Sequence, residues 1–376
     1  MRLFLKILLG LIVALILATI YVLNPRLPTP DGQHSAALYE SGSLGVARQA
    51  IALTDPSRPT SPNGDFEGSP VRELNGYLWI PDRTEQKPFP LIVYSHGFMS
   101  SVAEPRYLVD FLVPKGYAIV AVDYPLTYSG APGGANAADV IHQPGDVSFL
   151  IDALLARNAD EQDSLHGMLN PERIAAVGLS LGGLTTKFSA YHRDLHDPRL
   201  RAAVSIAGPS SFLEPKFFET TSLPFLMIAG SADAIISYED NAAPIPDKVD
   251  NGQLVTLHNG SHVGFADVAR IYMRWFRHPD KPLCPLLLRS LERQGDAADA
   301  ILAPDPDLGI STAGEPPCAM ENFERAMRPA EQQMLTRLAL YAFLERTFAD
   351  SAERRQAMEH YLTETFAHEN PEVSVR

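Results

Sequence analysis

Cysteine is nearly absent: the 376 residues hold two, Cys284 and Cys318. Neither stands near the N-terminus, which excludes a lipoprotein anchor. Two cysteines fit an oxidising compartment. They bracket a polar, Pro-containing segment, so a disulfide clipping that loop and a pair of free buried thiols are both open readings. Positive charge is also short. Lys and Arg number 31 against 45 Asp and Glu, a net charge of −14 with a pI near 5.2. That balance argues against a nucleic-acid partner and against a basic membrane-surface patch. There is no internal repeat and no low-complexity tract. Long apolar runs are missing everywhere except at the start. There Arg2 and Lys6 precede the uncharged run Ile7–Leu23. No good small-x-small cleavage site follows; Ala18-Thr19-Ile20 is a poor one.

What is present is ample for a large core, with 45% of residues hydrophobic. Residues 1–24 read as an uncleaved signal anchor, a transmembrane helix with its N-terminus inside and the body of the protein extracytoplasmic or periplasmic. A cleaved signal peptide, giving a secreted chain, and a buried core helix are the alternatives. Residues 25–66, rich in Pro, Ser, Asp and Gly, read as a linker or surface arm. From there short apolar runs alternate with helical patterns. Leu74–Ile80, Pro90–Ser95, Tyr117–Val122, Ile174–Val177, Ala202–Ala207, Pro224–Ala229 and Leu254–Leu257 read as strands, Ala103–Lys115 and Asp146–Arg157 as helices. Such alternation predicts a mostly parallel sheet covered by helices on both faces. The catalytic domain is expected over 67–350, with an insertion at 277–328. Residues 351–376 are expected as a helical tail.

The stretch Arg173–Gly183 contains Gly178-Leu179-Ser180-Leu181-Gly182 between a strand and a helix. This is the Gly-x-Ser-x-Gly pattern of a nucleophile elbow. The turn is too tight for side chains at the flanking glycines, and it aims the N–H of Leu181 at a reacting carbonyl. Asp233 follows the strand Pro224–Ala229 in a Gly-containing turn, and His262 follows Leu254–Leu257. A Ser hydroxyl needs an imidazole to take its proton, and the imidazole needs a carboxylate to hold its tautomer. Ser180, Asp233 and His262 stand in the chain order of that arrangement. Asp123 also follows a strand and is the alternative acid, but it reads as structural. His258 and His262 lack neighbours that would complete a metal-ligand set, so no metal is expected. The second oxyanion donor is expected at the Phe98 N–H, on the loop His96-Gly97-Phe98. Met99, Tyr124, Ile235, Val263 and Phe265 are expected to contact substrate, and the loop Ser129–Gly134 reads either as a gate or as a plain surface loop.

Tyr94-Ser95-His96-Gly97, Val177–Gly183, Gly230-Ser231-Ala232-Asp233 and Gly260–Phe265 resemble the α/β-hydrolase superfamily. The serine-type branch is the most similar: enzymes like platelet-activating-factor acetylhydrolase and dienelactone hydrolase, with cutinase-type polyester hydrolases nearby. The likeness covers roughly residues 70 to 275 and a closing helix near 330–348. It implies an α/β-hydrolase fold and a serine esterase without a cofactor, acting on a small-molecule or lipid-like ester. Ser replaces the Cys nucleophile of dienelactone hydrolases, which argues against their substrate. No Lys or Arg cluster accompanies the motifs, so a neutral ester with an apolar part is expected. A lipase or phospholipid deacylase, an acyltransferase, and an inactive hydrolase-like binding protein are the alternatives. The insertion is open as a lid edge, a partner surface or a clip.

Overall fold

The computed structural model describes residues 2–23, 27–82, 88–294, 303–312 and 314–376. Nine strands form one sheet in the order β1-β2-β4-β3-β5-β6-β7-β8-β9. They are β1 (Gly45–Asp55), β2 (Arg72–Asp82), β3 (Phe89–Ser95), β4 (Ala118–Asp123), β5 (Leu169–Leu179), β6 (Leu200–Ile206), β7 (Phe225–Gly230), β8 (Gly252–Leu257) and β9 (Val373–Val375). The apolar runs read from the sequence lie within or overlap β2 to β8. The centre, β4 to β8, is parallel, and the outer pairs β1–β2, β2–β4 and β8–β9 are antiparallel. The sheet is therefore mixed. The stretch expected as a linker supplies an edge strand, β1, and the expected helical tail supplies the other edge, β9.

Central strands are buried on both faces because their side chains alternate between two layers. Ile92 and Tyr94 of β3 face one layer, with the helix Pro329–Phe348 and α3 (Arg106–Leu112). Leu91 and Val93 face the other, against Val147, Leu150, Ile151 and Leu154 of α4 (Gln143–Ala159). Further along, α5 (Leu181–Tyr191) packs Leu184 and Phe188 against Ala203, Met227 and Ala229. Buried Arg72 of β2 ties the hairpin to the layer below. It donates to Asp146 at 2.7 and 2.6 Å and to Asp139 at 3.0 and 2.9 Å.

The N-terminal expectation is corrected. Helix α1 runs Arg2–Leu23, and a short helix, α2, runs Gln33–Tyr39. The described side chains from Phe4 to Thr19 are all exposed. Among the described residues, no helix is long and apolar enough to cross a membrane. The expected transmembrane anchor, and the membrane-anchored placement drawn from it, are not supported.

The insertion 277–328 is described in part. It contains the helix Cys284–Gln294, and Cys284 is joined to Cys318 with a Cα–Cα distance of 5.7 Å. Leu283, Leu287 and Phe323 pack there with Ile235 and Val263.

Candidate active site

Ser180 occupies the junction of β5 and α5 with φ 55° and ψ −120°. A non-glycine residue with positive φ is strained by about 1–3 kcal/mol and persists only where its surroundings over-determine it. Here they do. A side chain at Gly178 would collide with the Gly182 carbonyl, and one at Gly182 with the Ser95 carbonyl. The Ser180 N–H donates to Ile206 O at 2.8 Å, and its own carbonyl accepts from Gly183 at 2.8 Å. Leu181 opens α5, where N–H groups lack intrahelical acceptors and carry partial positive charge.

The loop after β3 comes to the same rim. His96 is buried, and its two ring nitrogens are spoken for. Nδ1–H donates to Gly97 O at 2.8 Å, and Nε2 accepts the Tyr124 N–H at 3.2 Å. Burial holds its pKa below that of a free imidazole, so it braces the loop as a neutral ring. Gly97 N–H and the Tyr94 hydroxyl both donate to Glu104 Oε1 at 2.9 Å. Among the described residues neither the Phe98 nor the Leu181 N–H has a hydrogen-bond partner.

Asp233 and His262 leave neighbouring parallel strands, β7 and β8, at their carboxyl ends. Asp233 Oδ1 accepts the N–H groups of Ile235 at 2.9 Å and Ile236 at 2.7 Å, which aims Oδ2 at His262 Nδ1, 2.7 Å away. A carboxylate only accepts, so Nδ1 carries the proton and Nε2 is left for the cavity. Gln332 of the closing helix grips the His262 loop from behind. Its Oε1 accepts Ser261 N–H at 3.0 Å and its Nε2 donates to Ser261 O at 2.6 Å. Burial alone would lower the His262 pKa. The Asp233 charge and hydrogen bond, with Asp280 and Glu104 adding, outweigh it and raise the value.

Ser180 and His262 line one cavity of about 270 Å³, together with Phe98, Met99, Ile235 and Val263. No hydrogen bond joins the Ser180 hydroxyl to the ring among the described residues; such bonds commonly tighten only when substrate binds. Among those residues no cluster of three or more His, Cys, Asp or Glu is arranged to hold a metal ion.

A family model described as PETase, PET hydrolase-like, matches residues 70–278. The chain belongs to that family. This PET hydrolase-like protein is a carboxylic ester hydrolase of α/β-hydrolase fold. It is similar to a solved structure, a ferulic acid esterase from Streptomyces cinnamoneus, at 16% identity and a TM-score of 0.52. The match covers 93% of this chain and 98% of that one. At that identity the likeness speaks for the fold. No curated protein sequence matches the chain.

Two expected substrate contacts of this PET hydrolase-like chain lie elsewhere. Tyr124 is fully buried, with its hydroxyl 2.7 Å from Ser95 Oγ and its ring against His96. Phe265 is equally buried and belongs to the core under the closing helix. The loop Ser129–Gly134 is outside the cavity lining. Asn63 donates to its Pro132 and Gly134 carbonyls at 2.7 and 2.6 Å. Asp123 accepts the Val102 N–H at 2.7 Å, a structural contact. Conversely, Glu104, Val268, Leu283, Leu286 and Leu287 line the cavity without having been read as site residues. The leucines carry a weak signal: they stand beside Cys284 in the insertion. Glu104 carries none, being one carboxylate at the start of the expected helix Ala103–Lys115.

Proposed function

We propose that this chain cleaves a neutral carboxylic ester through an acyl-enzyme on Ser180. His262 Nε2 takes the Ser180 proton as Oγ attacks the ester carbonyl carbon. Asp233 holds the ring and stabilises the imidazolium through the Nδ1–H bond. The N–H groups of Phe98 and Leu181 receive the negative charge that develops on the carbonyl oxygen. Collapse expels the alcohol, which takes the proton from His262. A water then gives a proton to the same nitrogen, attacks the acyl-Ser180 carbonyl, and the acid leaves as Ser180 is restored. The observation that carries this reading is the 2.7 Å bond between His262 and Asp233 at the wall of a cavity that also contains the strained Ser180.

Substrate class follows from the cavity. Among the described residues its walls are mostly Phe, Met, Leu, Ile and Val, with no Lys or Arg. A volume of about 270 Å³ sits at the small end of ligand pockets, which run about 300–1,000 Å³. An apolar acyl or alcohol group of modest size fits these dimensions. A fluorophosphonate probe should label the wild type and leave Ser180→Ala unlabelled. Well-folded wild type that resists the probe would favour a binding protein instead. A series of p-nitrophenyl esters of rising acyl length should peak at short to medium chains. A rise that continues to long acyls would favour a lipase.

A further inference from the structure

The insertion holds a carboxylate that the reaction above does not use. Asp280 is completely buried. Its Oδ2 accepts the N–H of Ala234 at 3.0 Å and of His262 at 2.9 Å, and its Oδ1 accepts the N–H of Val263 at 2.8 Å. Three donors converge on it, the pattern that favours an ionised acid; burial and the neighbouring Asp233 charge push its pKa the other way, up, with the His262 charge and these N–H groups opposing them. Ala234 belongs to the turn carrying Asp233; His262 and Val263 belong to the loop carrying the base. One side chain therefore fastens the two loops to each other. Its neighbours add to the grip. His278 Nε2–H donates to Ala232 O at 3.0 Å while its Nδ1 accepts the Asp280 N–H at 3.3 Å. The Cys318 N–H donates to Ile235 O at 3.1 Å.

We propose that Asp280 is a positioning residue for catalysis: it fixes the Asp233 turn and the His262 loop in register, and its charge supports the imidazolium. This deepens the triad reading and rests on it. Oriented reactants lose on the order of 10²-fold in rate for a displacement near 1 Å, and no other described side chain touches both loops through backbone N–H groups. The titratable groups facing Asp280 are Asp233 from the β7 turn, His262 from the β8 loop and His278 from its own segment. His262 is in turn faced by Asp233, Asp280 and Glu104. A second negative charge near the ring favours its protonated form.

The test is Asp280→Asn, read beside Ser180→Ala. The amide keeps the size, loses the charge and turns one N–H group against a backbone donor. We expect kcat to fall about 10²-fold with KM within about twofold. The acid limb of kcat/KM should move to lower pH, because the imidazolium loses a partner; a purely structural role would leave that limb in place. Unchanged kcat and an unmoved limb in Asp280→Asn, with turnover abolished by Ser180→Ala, would overturn the inference alone. Turnover that survives Ser180→Ala would overturn the triad reading and this inference with it. Hydrogen exchange on the wild type serves if the variant does not fold. The amides of Ala234, His262 and Val263 should exchange as slowly as those of β7 and β8, and exchange at the rate of open loops would refute the clamp.

Discussion

A histidine as buried as His262 would ordinarily titrate below a free imidazole; Asp233, Asp280 and Glu104 reverse that. As the proposed base His262 works only when neutral, so activity should fall as pH drops through a value above the ordinary imidazole pKa of about 6.5. In Asp233→Asn the limb should move down, and kcat should drop by roughly 10⁴, measured as pH–rate profiles on one ester. Glu104 adds a separate signature. Burial pushes its pKa up to about 7, against the hydrogen bonds it accepts and the His262 charge. A carboxyl whose folded pKa is raised binds its proton more tightly in the folded state. Its contribution to stability is therefore unaffected below about pH 4.5 and is lost as pH rises from there through about 7. At about 1.4 kcal/mol per unit the loss is about 3 kcal/mol. Glu104→Gln keeps an acceptor for Gly97 and Tyr94 and removes the titration. Urea unfolding at pH 5 and pH 8 should show the variant gaining about 2.5 kcal/mol on the wild type between the two, part of the loss having already occurred at pH 5. Equal changes in both proteins would refute the assignment.

At the scale of elements, the segment 277–328 makes one wall of the cavity. The helix Cys284–Gln294 starts at the disulfide, and Leu286 and Leu287 on it reach the space above Ser180. A cross-link closing a loop with a sequence separation of 34 restricts the unfolded chain by about 4 kcal/mol in the chain-entropy account. Cys284→Ser, or reduction of the wild type, should lower the melting temperature. It should also reduce kcat/KM for apolar esters more than for acetate esters, since only the former lean on the leucines. A uniform loss across the ester series would mean the wall plays no part in selection. The sequence showed the central strands plainly because each is a short apolar run closed by Gly, Asp or Asn. That same punctuation brings Asp233 and His262 side by side on adjacent strands. β1 was hidden by its alternation of exposed and half-buried residues at a sheet edge, where one face is wet and composition resembles a loop. β9 was hidden by its brevity. Asp280 and Glu104 left no mark because their roles depend on backbone N–H groups that only the folded loops present.

Over the whole molecule the two chain ends play opposite parts. The N-terminal helix α1 sits outside the cores. Its described side chains are exposed, and it meets the body where Arg274 donates to Tyr21 O at 3.3 Å. The C-terminus closes the sheet. Leu254 and Arg376 exchange backbone hydrogen bonds at 2.8 and 2.9 Å, the His258 N–H donates to Glu372 O at 2.7 Å, and Val373 is buried in the core under the closing helix. β9 thus covers the edge of β8, the strand that leads into His262. Deleting residues 1–26 should leave unfolding in urea and turnover of a water-soluble ester nearly unchanged. Deleting residues 372–376 removes one buried valine, at about 1.5–3 kcal/mol, and several ladder bonds at about 1 kcal/mol each. A loss of several kcal/mol should follow, with reduced kcat because the strand that leads into His262, the proposed base, is freed at its edge. If the short C-terminal deletion proved as harmless as the long N-terminal one, β9 would be an ornament on the sheet, and the support of His262 would fall to Gln332 and Asp280 alone.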